Sequence, residues 1–258
     1  MSSNVQTIAV IIPAHNEAPS IGKVLSELSA LQYPDSSFPL LSRIVVTDNG
    51  SSDDTAKIAR RAGAQVVDEP RLGYGYACLA AMDYLRTQNK RPDIVVFVDA
   101  DHSVQTRELH ALIDAVNAGN DLVVGSRVNS LQEQGSLGVH QRTGNILASA
   151  LIRALWRQPV SDLGPFRAIS YNALLALDMQ DKRFGWTVEM QVKAIQAGLR
   201  YAEIPVSSLK RIGVSKISGT VRGTIGAALG IFGMIFKLHL KQTSFLAAFK
   251  QAQHSNSQ

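Results

Sequence analysis

Short, uninterrupted apolar runs alternate with amphipathic stretches through the first half of the chain. Ile8-Ala-Val-Ile-Ile12, Arg43-Ile-Val-Val-Thr47, Gln65-Val-Val67, Asp93-Ile-Val-Val-Phe-Val98 and Asp121-Leu-Val-Val-Gly125 read as strands. Ser20 to Leu31 reads as a helix, because Ile21, Val24, Leu25, Leu28 and Leu31 fall on one face. Asp53 to Ala62 follows Ser51 and Ser52, whose side chains suit a helix start. Tyr76 to Arg86 and Arg107 to Ala118 complete the set. The strands are apolar at every position rather than at every second one, so both faces of the sheet must be covered. Strand and helix in alternation predict an α/β fold: a doubly wound, mainly parallel sheet with helices on both faces. Ligands would then lie outside the carboxyl ends of the strands.

The pattern loosens after Arg127. Asn129 to Val139, rich in Gly, Ser and Gln, reads as a mobile loop. Helices return at Asn145 to Trp156, Tyr171 to Leu177 and Thr187 to Ala197, and Tyr201 to Val206 is a late strand whose Pro205 suggests a sheet edge. Between Arg222 and Lys237 lie 14 uncharged residues, Gly223 to Phe236, four of them glycine. As a helix they reach ~21 Å, short of the ~30 Å hydrocarbon core. With basic residues at both ends they predict a C-terminal interfacial helix. The competing expectation is that Ile225, Leu229, Phe232 and Phe236 pack on the domain. The chain divides on this reading into a domain at 1–219 and an apolar, basic helix with a polar tail at 220–258.

At 258 residues, 45% hydrophobic and 18% charged, the sequence suits one large domain with a full core and excludes disorder of the whole chain. Cys78, the single cysteine, forms no intramolecular disulfide and fits a reducing, cytoplasmic compartment; its apolar surroundings predict a buried, inert thiol. The five-residue apolar run at Ile8 has no preceding positive charge and ends at Pro13, which predicts a strand and not a signal peptide. A net charge of +5 favours anionic partners. Nucleic acid is not among those expected, since no recognition helix, zinc finger or aromatic RNA-binding signature is present.

Each strongly polar cluster follows a strand. Pro13-Ala-His-Asn-Glu17, Asp48-Asn-Gly-Ser-Ser-Asp-Asp54, Asp99-Ala-Asp-His102 and Gly125-Ser-Arg127 would meet at one sheet edge as a single polar crevice. Turn chemistry alone can place Asn, Gly, Ser and Asp at such positions. It does not so readily place two carboxylates after an all-apolar strand. Asp99 and Asp101 are two apart, so their side chains share a direction and repel unless a cation or a proton lies between them. Oxygen ligands of this kind suit Mg²⁺ or Mn²⁺. Gly73 and Gly75 do not follow the first strand and lack a third glycine, which excludes a dinucleotide fingerprint; they serve either a close approach to a ligand or a plain turn. His15 and His102 lack partners at metal-ligand spacing.

Together, Val10-Ile-Ile-Pro-Ala-His-Asn-Glu17, Thr47-Asp-Asn-Gly-Ser-Ser-Asp-Asp-Thr55, Val98-Asp-Ala-Asp101 and Gly125-Ser-Arg127 resemble the family 2 glycosyltransferases of the GT-A fold. Asp162-Leu-Gly-Pro-Phe-Arg167 and Arg211-Ile-Gly-Val-Ser-Lys-Ile-Ser-Gly219 are similar to the branch that contains dolichol- and polyprenyl-phosphate sugar synthases. The resemblance implies a metal-dependent, inverting transfer of a hexose from a UDP- or GDP-sugar to a lipid-linked phosphate at the cytoplasmic face of an anionic membrane. It places Pro13, Ala14, Glu17 and Asp48 at the base and ribose, and Asp99, Ala100 and Asp101 at the metal and diphosphate. Gly75 would let a loop close on the donor. Arg127, Arg211 and Lys216 would supply charge near the phosphates, and Arg142 would meet the acceptor phosphate. The pattern departs at Ser103, where the related synthases carry Gln, so the third protein ligand is open between Ser103 and Gln105. A phosphate acceptor is already largely a dianion at neutral pH. A hydroxyl acceptor would need a general base, for which Asp162 and Glu189 are the candidates. A hydroxyl acceptor and a catalytically silent nucleotide-sugar binding protein are the two rival readings.

Overall fold

The computed structural model describes residues 6–32, 40–128, 139–213, 221–242, 245–247 and 249. Its centre is a seven-stranded sheet made of β1 (Ile8–Ala14), β2 (Arg43–Asp48), β3 (Gln65–Asp68), β4 (Ile94–Phe97), β5 (Leu122–Ser126), β6 (Arg167–Ser170) and β7 (Tyr201–Pro205), in the spatial order β3-β2-β1-β4-β6-β5-β7. All neighbours are parallel except β6, which runs antiparallel to both β4 and β5. β7 pairs with β5 alone, so Pro205 does lie on an edge strand. The sequence reading had no strand at β6. It is only four residues long, opens with an arginine, and is buried through Ile169.

Alternate residues of β1 explain why the strands are apolar throughout. Ile8, Val10 and Ile12 face one core with α1 (Ala18–Ser29), α2 (Thr55–Arg61) and α4 (Leu109–Asn117); Ala9 and Ile11 face a second with α3 (Tyr74–Arg86), α6 (Tyr171–Ala176) and α7 (Trp186–Gln196). A third cluster lies outside the second, where α5 (Val139–Trp156) and α8 (Val221–Leu240) close on α7. Helix α7 serves both: Trp186, Met190 and Ala194 at fourfold spacing reach the sheet, and Val188 and Val192 reach α5 and α8. A short 3₁₀ turn at Thr106–Glu108 precedes α4.

Two C-terminal expectations are revised. Helix α8 is 20 residues long and buries Met234, Ile235 and Leu238 in the third cluster, so it is part of the fold's packing and not an appendage. Of the residues expected to pack, Phe232 does so, partly buried against this cluster, whereas Leu229 and Phe236 are 70% and 54% exposed; the side chain of Ile225 lies outside the described residues. Among the described residues no helix is long and apolar enough to cross a membrane. The loop expected from Asn129 ends at α5, which begins at Val139; residues 129–138 lie outside the described residues.

Candidate active site

Strands β1, β2, β4 and β5 all end at the same edge, and the chain order reverses between β1 and β4, where an open sheet leaves a crevice. Ala14 lies beside Asp48, which lies beside Asp68. Asp99 and Asp101 follow β4, and Arg127 follows β5. Asn49, buried, ties the near wall together. Its backbone N–H donates to Ala14 O at 2.8 Å, its amide donates to the carbonyls of Glu69 and Arg71 at 2.9 and 2.8 Å, and its Oδ1 accepts the Gly73 N–H at 2.8 Å. Opposite, Asn16 at φ 53° accepts the Ser52 N–H at 2.7 Å and Thr55 Oγ1 accepts the Glu17 N–H at 2.8 Å, so the loops after β1 and β2 brace each other. Asp48 Oδ1 is buried without a partner among the described residues, an acceptor left for a ligand.

Asp99 is half-buried. Loss of water around it, then the charge of Asp101, push its carboxyl up to about 7; the charge of Arg127, a hydrogen bond from Tyr74 Oη at 3.3 Å and the charge of Arg211 act the other way. Burial likewise raises the Tyr74 phenol well above its usual range. Asp101 is buried, accepts the Ser103 N–H at 3.0 Å and pairs with Arg211 at 3.2 Å. The same guanidinium reaches Glu17 at 3.5 Å. Its strap is fastened by backbone bonds from Leu209 to Ser103 and from Ile212 to Asp101, both 2.9 Å. This chemistry fits a divalent cation: two carboxylates that raise each other's affinity for positive charge, beside a cationic side chain already drawn to them. Among the described residues no third His, Cys, Asp or Glu joins them. His102 Nε2 donates to Glu27 at 2.9 Å, and Gln105 packs its amide on Arg107.

Several sequence-derived roles change. Asp162 is not placed as a base. It is fully buried and holds Arg127 by a fork, with Arg127 Nε and backbone N at 2.8 Å from one oxygen and Nη2 at 2.7 Å from the other. Burial would raise its carboxyl, but the bonds and charge of Arg127 outweigh this and leave it below the usual carboxylate range. Glu189 is likewise engaged within the fold: it accepts the backbone N–H groups of Gln180 and Asp181 and pairs with Lys193 at 2.9 Å. Gly75 has its close approach, but to the protein itself. A Cβ there would lie 2.1 Å from Asp181 O, and one at Gly73, whose φ is 155°, would lie 2.2 Å from Lys182 O. Arg142 is exposed on α5. Three residues on, Asn145 accepts the Leu163 N–H at 2.9 Å, which sets that turn beside the segment carrying Asp162. Lys216 lies outside the described residues.

Sequence reasoning missed Tyr74, Asn49 and Arg167. Arg167 is buried in β6, donating to the carbonyls of Thr187 at 2.9 Å and of Gly164. Loss of water lowers its pKa from the usual arginine value, and the nearby Tyr74, Tyr201 and Asp162 oppose that fall.

The model of the family described as "Glycosyl transferase family 2" matches residues 9–175, which contain every cluster of the crevice up to Asp162. The chain belongs to glycosyl transferase family 2. An uncharacterized glycosyltransferase of Mycobacterium tuberculosis is 37% identical over 233 residues, spanning 88% of this chain and 97% of that one. The dolichyl-phosphate hexose transferase of Haloferax volcanii is 29% identical over 224 residues, 86% of this chain and 90% of that one. The fold recurs in the M. tuberculosis glucosyl-3-phosphoglycerate synthase crystallised with Mn²⁺, UDP and glucosyl-3-phosphoglycerate: TM-score 0.69, 22% identity, 90% of this chain and 79% of that one. As a family 2 member the chain is a glycosyltransferase, and its mainly parallel sheet is that of the GT-A fold.

Proposed function

We propose that this glycosyltransferase moves a hexose from a nucleoside diphosphate sugar to a phosphate carried on a lipid. The observation behind this choice of acceptor is the state of the two carboxylates that a hydroxyl acceptor would need. Asp162 is spent on Arg127, and Glu189 on Gln180, Asp181 and Lys193. A phosphate monoester, with a second pKa near ~6, attacks without a base. One of its oxygens bonds to the anomeric carbon while the bond from that carbon to the donor's β-phosphate oxygen breaks, a single displacement that inverts the sugar. The nucleoside diphosphate leaves with its charge facing Arg127 and Arg211. Asp99 and Asp101 would hold Mg²⁺ or Mn²⁺, which supplies further charge at the diphosphate; a solved protein of this fold carries Mn²⁺ with UDP. Asp48, with its unpartnered oxygen beside Ala14, would receive the base or ribose, and Glu17, Pro13 and Ala100 would frame it.

A membrane location suits such an acceptor. Leu229, Phe236 and Leu240 are 70%, 54% and 84% exposed on α8, and with Gly233 they form one stripe at helical spacing beside Lys237 and Lys241. Ile146 and Leu147 are likewise exposed on α5, one turn from Arg142. The relative named as a dolichyl-phosphate hexose transferase supports the same reading. The test is a matched pair of acceptors, a polyprenyl phosphate and the corresponding alcohol, offered with UDP- and GDP-hexoses. Transfer to the phosphate at least tenfold faster than to the alcohol is expected, on the order of the gain from an already ionised nucleophile. Equal or faster transfer to the alcohol would contradict it.

A further inference from the structure

The fork between Arg127 and Asp162 is only as well aimed as the backbone that carries Asp162, and that backbone is gripped from two sides. Glu203, on β7 beside Val124 of β5, accepts the Ser161 N–H at 3.0 and 3.1 Å and also the Ser161 hydroxyl. The phenol of Tyr201, two residues earlier, donates to the same carboxylate. From the other side Gln191, fully buried on α7, donates to Asp162 O and to the Tyr201 hydroxyl, both at 2.9 Å. Ser161 also touches Ser126 through their hydroxyls at 2.8 Å, next to Arg127 itself. The ring is closed, Glu203 to Ser161 to Asp162 to Gln191 to Tyr201 and back to Glu203.

We propose that Glu203 is a positioning residue for sugar transfer, acting through Ser161 and Asp162 to set the direction of the Arg127 guanidinium. This rests on the reading that Arg127 meets the donor diphosphate. Three features carry it beyond a plain structural contact. The carboxylate gathers three donors, and two of them, the N–H and hydroxyl of Ser161, fix one residue adjacent to Asp162. No cation is needed to keep it there, because the backbone N–H and two hydroxyls satisfy it. It also lies on the edge strand, on the far side of β5 from Asp99, so it touches neither donor nor metal site directly. An amide in its place has one acceptor oxygen where the ring supplies donors on both, so the grip on Ser161 opens while volume is kept.

The experiment is a double-mutant cycle of Glu203→Gln with Arg127→Lys, read as kcat/KM for transfer alongside nucleoside diphosphate affinity with Mn²⁺. Lysine keeps the charge but loses the fork to Asp162. Glu203→Gln alone is expected to lower kcat/KM about tenfold, mostly in kcat, the usual scale for a misaimed transition-state contact. In the Arg127→Lys background its further effect should fall below about twofold, because the aim it sets is already lost. If Glu203→Gln does not fold, Tyr201→Phe takes its place in the same cycle, with an expected loss of about threefold for one hydrogen bond. Equal losses in both backgrounds, or wild-type activity of the single variant, overturn the proposal alone. Failure of the wild-type chain to bind any nucleoside diphosphate overturns the donor-site reading and the proposal with it.

Discussion

Asp99 carries a strain that a bound cation would relieve. Burial and the charge of Asp101 push its carboxyl up to about 7 in the folded chain, against ~3.9 unfolded, so between those values the folded state binds the extra proton. Stability of the metal-free chain therefore falls as pH rises from about 4 to about 7, and the full deficit remains above that. Asp99→Asn removes the ionisable group. In EDTA at pH 8 the variant should melt higher than wild type by on the order of 2–4 °C, about 1 kcal/mol in a domain this size. At pH 5 the gap should narrow. A variant that melts lower at both values would contradict the picture of two carboxylates straining against each other. The pair itself was legible in the sequence from spacing and the apolar strand before it. Tyr74 was not, because a tyrosine in a glycine-rich stretch gives no sign that its hydroxyl will reach a carboxylate 25 positions on. The partners of Asp162 and Glu189 were hidden for the same reason: tertiary structure brings them together, Arg127 from 35 residues away and two backbone N–H groups from the turn before α7.

At the scale of elements, the strands were legible wherever both faces are buried, and β6 was lost because a buried arginine breaks the apolar pattern that marks its neighbours. The C-terminal helix teaches the same lesson in reverse. Its composition reads as interfacial, yet Met234, Ile235 and Leu238 fill the space between α5 and α7. Each such side chain contributes about 1.5–3 kcal/mol on full burial, so a chain ending at residue 219 should lose on the order of 5 kcal/mol or more. That truncation is expected to aggregate or to melt more than 10 °C lower, roughly the shift such a loss implies. A truncated domain that melts within a few degrees of the full chain would show that α8 is separable after all. The exposed stripe is a different matter. Replacing Leu229 and Phe236 together by Ser should leave the melting temperature nearly unchanged, as surface changes usually do, yet reduce co-sedimentation with anionic vesicles by about tenfold or more. Unaltered vesicle binding would dissociate the stripe from the membrane.

For the whole molecule, the sheet topology turns scattered sequence clusters into one site. Strand ends separated by more than 80 residues, from Ala14 to Asp99, adjoin because β1 and β4 are neighbours at the point where chain order reverses. The sheet also sets the division of labour. The carboxylates after β4 sit opposite two cations, Arg127 after β5 and Arg211 on the returning strap, the charges that the proposed function assigns to a metal and a diphosphate. The measurement that bears most directly on this account is a calorimetric titration of UDP and GDP into wild type with Mn²⁺, into wild type with EDTA, and into Asp99→Asn with Mn²⁺. Binding of one nucleotide in the first case, weakened at least about tenfold in the other two, is predicted, as expected if Asp99 and Asp101 hold a cation that adds positive charge at the diphosphate. The same affinity in all three would contradict it.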